Sequence, residues 1–353
     1  MKNILNIILV GMLITLASCT DGYIDDITPI AQGTDSSAPQ IQITSPSGNL
    51  TIPFTDTKTN MKFDYKVSDD VEIGSVEILL DGVKLSTYNT FKDYRIFIDS
   101  YAYNNLGLGN HTFTVNAKDL AGKSSTKSVT FNIDNKYTPL FGEKVYIPFF
   151  GGNTFTDIVA GKVPTVVGAP STVAGGYTGA TFQGATDSYI TLPLTGLYSA
   201  NGISFTFWYK VNATPNRSGI IVINDDNDNS NDNRTKGLRL FREGGATSQT
   251  VKLNVGTGAG ESWNDGGNIA VDGKWVHVAV TVSPTDSKIY FNGVLQRTAT
   301  FTSFDFSTSS TITIGSGAPS FTYWDHKSDL SLIDEVRIYD KALTETEVKN
   351  TMK

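Results

Sequence analysis

Two short segments hold the side chains with the greatest chemical potential. Residues 258–267 are polar and glycine-rich and set Trp263 beside Asn264, with no apolar neighbours to bury an indole. Residues 321–329 offer Tyr323, Trp324, His326 and Asp329 within nine positions. Flat rings stack on the CH faces of sugars, while amides, carboxylates and imidazoles pair with hydroxyls. The pattern points to non-covalent carbohydrate recognition, with Trp263 and Trp324 stacking and Asn264, His326 and Asp329 reading hydroxyls; the alternative for both tryptophans is packing within their own loops. A further feature is Asp334. Strict alternation puts it on the parity of Leu332, Val336 and Ile338, and a carboxylate on an apolar face is costly unless paired or metal-bound.

Catalytic spacings are missing. Glycoside hydrolysis needs two carboxyl groups flanking one bond, but adjacent Asp334 and Glu335 point to opposite faces of an alternating strand. Gly-x-Ser-x-Gly, His-Glu-x-x-His and Ser-x-Asp-x-Gly-x-Thr-Trp patterns are absent. The chain therefore reads as a non-enzyme. Among the other candidates, Trp208 and Trp275 lie in alternating strands and read as core, His277 reads as sheet packing, and Arg239 and Arg242 face either a groove or solvent. Residues 224–233 are rich in Asp and Asn but fail the EF-hand pattern, with Asn231 in place of glycine and Gly237 in place of glutamate. That segment reads as a solvated loop, the alternatives being a weak calcium site or a polar rim to a binding groove.

The elements that must position these groups are strands. Residues 332–339 alternate as a strand and lead into a short helix, where Thr344 and Glu347 form a capping box flanked by Leu343 and Val348. Residues 76–85 read as a hairpin turning at Asp81-Gly82, and 109–122 and 128–133 supply further strands. No long helix and no internal repeat is visible. The fold class is all-β.

Ile333-Asp334-Glu335-Val336-Arg337-Ile338-Tyr339, followed by Ala342-Leu343 and the acidic capping turn, resembles the closing strand and helix of bacterial laminin-G-like (concanavalin A-like) jelly rolls. Residues 180–190 resemble that family's early strand, and 273–282 with 288–295 its central hairpin. The order of strands in 39–135, ending in Gly109-Asn-His-Thr-Phe-Thr-Val115 and an Asp119-x-Ala-Gly122 turn, resembles bacterial immunoglobulin-like modules, which are usually spacers. The resemblance implies an immunoglobulin-like β-sandwich at 39–135 followed by a concanavalin A-like jelly roll at 140–353. It also implies one structural calcium, held by Asp157 in the loop after the first strand and by Asp334. Asn153 falls in the same loop, where Gly151-Gly152-Asn153 replaces the family's usual Asp-Gly-Asn. Calcium takes six to eight hard oxygens, which carboxylates and loop carbonyls supply. Concanavalin A-like glycosidases carry a Glu-x-Asp-x-Glu or Glu-x-Asp-x-x-Glu strand, and this chain has neither.

The N-terminus reads as a targeting segment: Lys2, an apolar run from Ile4 to Leu16, then Leu16-Ala17-Ser18-Cys19. It resembles a bacterial lipoprotein box, which implies a signal peptide at 1–18, lipidation of Cys19 and a tether at 19–38. Asp21, Asp25 and Asp26 resemble the export signal of surface lipoproteins in Gram-negative glycan-foraging bacteria. The expected address is thus the outer membrane, lipid-anchored and facing outward, beside a glycan-uptake complex. Cys19 is the only cysteine, so sheet cores must supply the stability. The net charge of −7, without a Lys/Arg cluster, argues against nucleic acid. The expected partner is a poly- or oligosaccharide. The alternative is an adhesin or assembly component that binds protein through the jelly-roll loops.

Overall fold

The computed structural model describes residues 33–150, 155–227 and 234–352, and the chain divides into two compact units, 1–136 and 137–353. Cys19, Asn153 and residues 228–233 lie outside the described residues.

The first unit is a sandwich of two sheets. Gln40–Ser45, Lys58–Ser68 and Ile96–Gly107 form one, in that spatial order. The other runs Leu50–Thr51, Ser124–Asp134, Gly109–Asp119, Ile73–Leu80 and Val83–Tyr88. Alternating residues Phe63, Tyr65 and Val67 of one sheet meet Phe113, Val115 and Phe131 of the other, and Phe63 stacks on Phe113 at 4.3 Å. Asp81 and Gly82 both take positive φ (52° and 79°). That is the two-residue turn whose twist suits a hairpin.

The second unit is a larger sandwich. Its first sheet orders Thr165–Val167, Tyr189–Pro193, Thr311–Ile314, Arg217–Ile223, Leu238–Gly244, Ser248–Gly256 and Glu261–Ala270. The second orders Ser171–Ala174, Ala180–Gln183, Leu332–Tyr339, Ile203–Lys210, Val276–Val282, Asp286–Phe291 and Val294–Thr300, and Glu143–Ile147 also pairs with Leu332–Tyr339. Inner faces rich in Val, Ile, Leu and Phe form one continuous core. The closing helix Glu345–Asn350 carries the expected capping box at Thr344 and Glu347, and Leu343 and Val348 pack together with Tyr339.

The closing strand departs from simple alternation. Trp208 pairs with Asp334 and Thr206 with Arg337, so two residues, Glu335 and Val336, oppose Phe207 alone. Glu335 has a φ of 55°, a β-bulge that resets the parity of every later residue. Ile333, Val336 and Ile338 therefore share the core. Asp334 is not on the apolar face with Val336 and Ile338. It lies outward, in register with Trp208. Beside it Arg337 pairs with Glu143 (3.2 Å) and Glu335 (3.1 Å) and sits 3.7 Å from the Tyr146 ring centre.

Two other expectations change. Trp208 and Trp275 do not join the core. Ile203, Phe205, Phe207 and Tyr209 take the inner positions of their strand, so Trp208 projects outward and stacks on Tyr177 at 3.5 Å. Trp275 is half-buried under the ammonium of Lys210. Residues 261–270 form a strand rather than a flexible loop. They are polar because the strand lies at the sheet's edge, and Asp265-Gly266 fills an irregularity in its pairing with Ser248–Gly256.

Candidate functional site

The aromatic residues of the two chemistry-bearing segments meet on the outer face of the seven-stranded sheet. Trp263 projects from the edge strand and is 36% exposed; Trp324 comes from the segment preceding the closing strand and is 48% exposed. Between them lies Arg234, whose guanidinium carbon is 5.4 Å from the Trp263 ring centre and 4.8 Å from that of Trp324. Glu261 fixes the guanidinium with two contacts, 2.5 Å from Nε and 3.1 Å from Nη2, while Nη1 donates to the Tyr323 hydroxyl at 3.1 Å. A planar cation held by a bidentate carboxylate and sandwiched by rings has little freedom left. Burial works to raise the Glu261 carboxyl, but hydrogen bonds from Arg234, Trp263 and Asn254 outweigh it and hold the group below the usual carboxylate range.

A second layer supports this platform. Phe241 projects outward from Leu238–Gly244 and meets Trp263, Phe321 and His326 at 6.1, 5.2 and 4.6 Å between ring centres. His326 stacks on Phe321 at 4.7 Å, and Tyr323 sits edge-on to both Phe321 and Trp324. Asn254, which donates to Glu261 at 2.9 Å, accepts from the buried Arg239 at 3.2 Å. Beside Trp263, a cleft of about 630 Å³ is lined by Glu261, Ser262, Arg297, Thr298, Thr300 and Thr302, among others. Hydroxyls dominate its walls.

The segment carrying Tyr323 and Trp324 is pinned by a buried ion pair. Arg242 and Asp329 are both fully buried and joined at 2.9 Å. Asp329 also accepts from the Tyr209 hydroxyl (2.5 Å) and from the Ser331 hydroxyl and amide (2.7 and 3.1 Å). Arg242 further donates to Gln249 and to the Pro215 carbonyl, each at 2.8 Å. Neither Arg239 nor Arg242 faces a groove or solvent.

Of the expected ligand contacts, Trp263, Tyr323 and Trp324 come together, whereas Asn264, His326 and Asp329 are buried. Asn264 ties the edge strand to Asp286–Phe291 by donating to the Ser287 carbonyl (3.1 Å), and its Oδ1 accepts from the Gly266 amide of its own strand (3.0 Å). Their placement corrects the reading of these three as hydroxyl-facing: each lies beneath the aromatic layer or between strands. Arg234 and Glu261 were not legible beforehand, since 27 residues separate them and neither lies in a recognisable motif.

The expected calcium ligands are not equivalent. Asp157 is buried and accepts amide protons from Tyr146, Val159 and Ala160 at 2.9–3.1 Å. Asp334 accepts from the amides of Thr178 (3.1 Å) and Glu335 (2.9 Å), and among the described residues no cationic side chain pairs with it. Burial pushes its carboxyl up to about 7. A buried carboxylate without a counter-charge has the chemistry of a hard-cation ligand. No three Asp, Glu, His or Cys side chains converge among the described residues.

Two family models match the chain. One, described as the Concanavalin A-like lectin/glucanases superfamily (laminin G type), covers residues 183–349, and the other, Bacterial Ig domain, covers 39–115. No curated protein matches. Among solved structures, domain 4 of AbnA, a GH43 extracellular arabinanase from Geobacillus stearothermophilus in complex with arabinotriose, is 23% identical over 60% of this chain and 98% of that one, with a TM-score of 0.47. The botulinum neurotoxin serotype C1 binding domain is 17% identical over 60% and 52%, with a TM-score of 0.43. The binding domain of Paraclostridial Mosquitocidal Protein 1 is 17% identical over 58% and 51%, with a TM-score of 0.40.

Proposed function

We propose that this chain, a bacterial Ig domain followed by a concanavalin A-like lectin/glucanase domain of the laminin-G type, captures glycans without cleaving them. One observation carries the reading: the half-exposed indoles of Trp263 and Trp324 are held rigidly around Arg234, next to a hydroxyl-lined cleft. Preorganised rings lose little entropy when a sugar stacks on them. Arg234 is already neutralised by Glu261, so the surface offers planar stacking and hydrogen bonding rather than a free cation, which suits a neutral polymer better than an anionic one. Glu261 is committed to that ion pair and kept ionised, which supports binding over acid catalysis.

The wider reading rests on the N-terminal sequence. A lipid on Cys19 would anchor the protein in the outer membrane, facing outward, with the Ig domain as spacer and captured glycan held beside an uptake complex. A structural calcium at Asp334 belongs to the same reading, supported by that carboxylate's burial without a counter-charge; Asp157 is already occupied by amides. The test is affinity electrophoresis of the whole protein through gels containing plant, host or microbial polysaccharides. Retardation by one neutral glycan class is expected, and unretarded migration through every gel would refute the reading.

A further inference from the structure

The rim of the second unit holds a pocket that the aromatic platform does not use. Three connections build it. The turn between Ala180–Gln183 and Tyr189–Pro193 contributes Asp187; that between Ile203–Lys210 and Arg217–Ile223 contributes Pro215 and Asn216; the segment before the closing strand contributes Asp325, Lys327 and Leu330. Its volume is about 420 Å³, within the range of small-ligand sites. Pro215 and Leu330 give apolar surface, and Asp187, Asn216, Asp325 and Lys327 stand around it. None of these four side chains enters a hydrogen bond or ion pair with another described residue. All four are exposed, so their polar groups are open to a ligand at the pocket's edge. Asp187 and Asp325 also sit at positive φ, 53° and 60°. Aspartate adopts such turn conformations more readily than most residues.

We propose that this pocket is a second carbohydrate site, separate from the Trp263–Trp324 platform, and that it takes a single neutral sugar residue. The inference rests in part on the glycan-binding reading. The apolar patch meets the CH face of a pyranose or furanose ring. The Asp187 and Asp325 carboxylates accept hydroxyl protons, and Asn216 and Lys327 donate to hydroxyl or ring oxygens. Two carboxylates against one ammonium leave the pocket net negative, which disfavours uronic and sialic acids. Trp324 immediately precedes Asp325, in a turn closed by the Asp325 amide on the Thr322 carbonyl at 3.2 Å. The two sites thus share one segment, and one polymer could engage both, raising its avidity.

The experiment is saturation-transfer NMR and titration calorimetry of the whole protein with methyl glycosides of neutral hexoses and pentoses, and with methyl glucuronide. At least one neutral glycoside is expected to bind, at least tenfold tighter than the glucuronide. Asp325→Asn and Lys327→Ala should each weaken it tenfold or more while leaving the melting temperature unchanged. Asparagine tolerates the positive φ at 325, so a folding artefact is avoided. The proposal is overturned if both variants bind like the parent, or if the glucuronide binds as well as any neutral sugar. It is also overturned if no glycoside binds. In that last case polysaccharide retardation separates the two failures: retained, only the pocket is lost; absent, the glycan reading falls with it.

Discussion

Breaking the buried Arg242–Asp329 pair should be costly, and the structure sets the scale. Asp329→Asn keeps the side chain's size but removes the negative charge that faces the Arg242 guanidinium. Five donated hydrogen bonds converge on the carboxylate, two of them from the guanidinium. Removing one partner of such a pair leaves an uncompensated buried charge, at about 3–5 kcal/mol. That is a large part of the ~5–15 kcal/mol that holds a domain folded. With a urea slope of about 2 kcal/mol/M, the midpoint should fall by roughly 1.5–2.5 M. All four tryptophans, 208, 263, 275 and 324, lie in the second unit, so indole fluorescence reports its unfolding without interference from the first. Arg242→Met should cost a similar amount. The double variant should cost less than the sum by ~1–3 kcal/mol, because neither charge is then left alone. Losses below about 1 kcal/mol, or strictly additive ones, would refute the assignment of this pair as the pin of the Tyr323–Trp324 segment.

Three further outcomes follow. His326 is buried against Phe241 and Phe321, and desolvation lowers its pKa to about 4 against nearby Glu243, which acts to raise it. The fold thus favours neutral imidazole: its contribution is intact above pH 6.5 and is lost as pH falls toward 4, by up to ~3 kcal/mol. His326→Phe should flatten that acid slope in urea midpoints measured from pH 7 to 4, and an unchanged slope would contradict it. Calcium chelation should lower the melting temperature of the second unit by several degrees, followed by indole fluorescence; no shift removes calcium from the account. Cys19→Ala should abolish labelling by radioactive palmitate and release the protein from membranes, and retained labelling would refute the anchor.

Much of the architecture was legible because it depends on local patterns. Alternation located the strands, Asp81-Gly82 marked a hairpin, and Thr344 with Glu347 marked a helix start. Each of these involves residues close in sequence, and the structure has all three. What escaped reading is non-local or depends on one backbone angle. The bulge at Glu335 turns on a positive φ in a residue that rarely adopts it, and this one angle moved Asp334 from the core side to the outer side. Trp263 and Trp324 could be singled out as hard to bury, but not the Arg234 between them, because folding alone brings those three together. Asn264, His326 and Asp329 looked like hydroxyl readers because polar residues near tryptophans suit either surface or buried networks. Burial decides between the two, and a single sequence does not reveal it.

The central claim is that Trp263 and Trp324 form a glycan-stacking surface. Its most direct test is titration calorimetry of the parent protein, Trp263→Ala and Trp324→Ala with the polysaccharide that retards the protein best. Each substitution should weaken binding about tenfold, the order expected for losing one well-placed aromatic contact, with the urea midpoint little changed. Parent-like affinity in both variants, with the fold intact, would contradict the account.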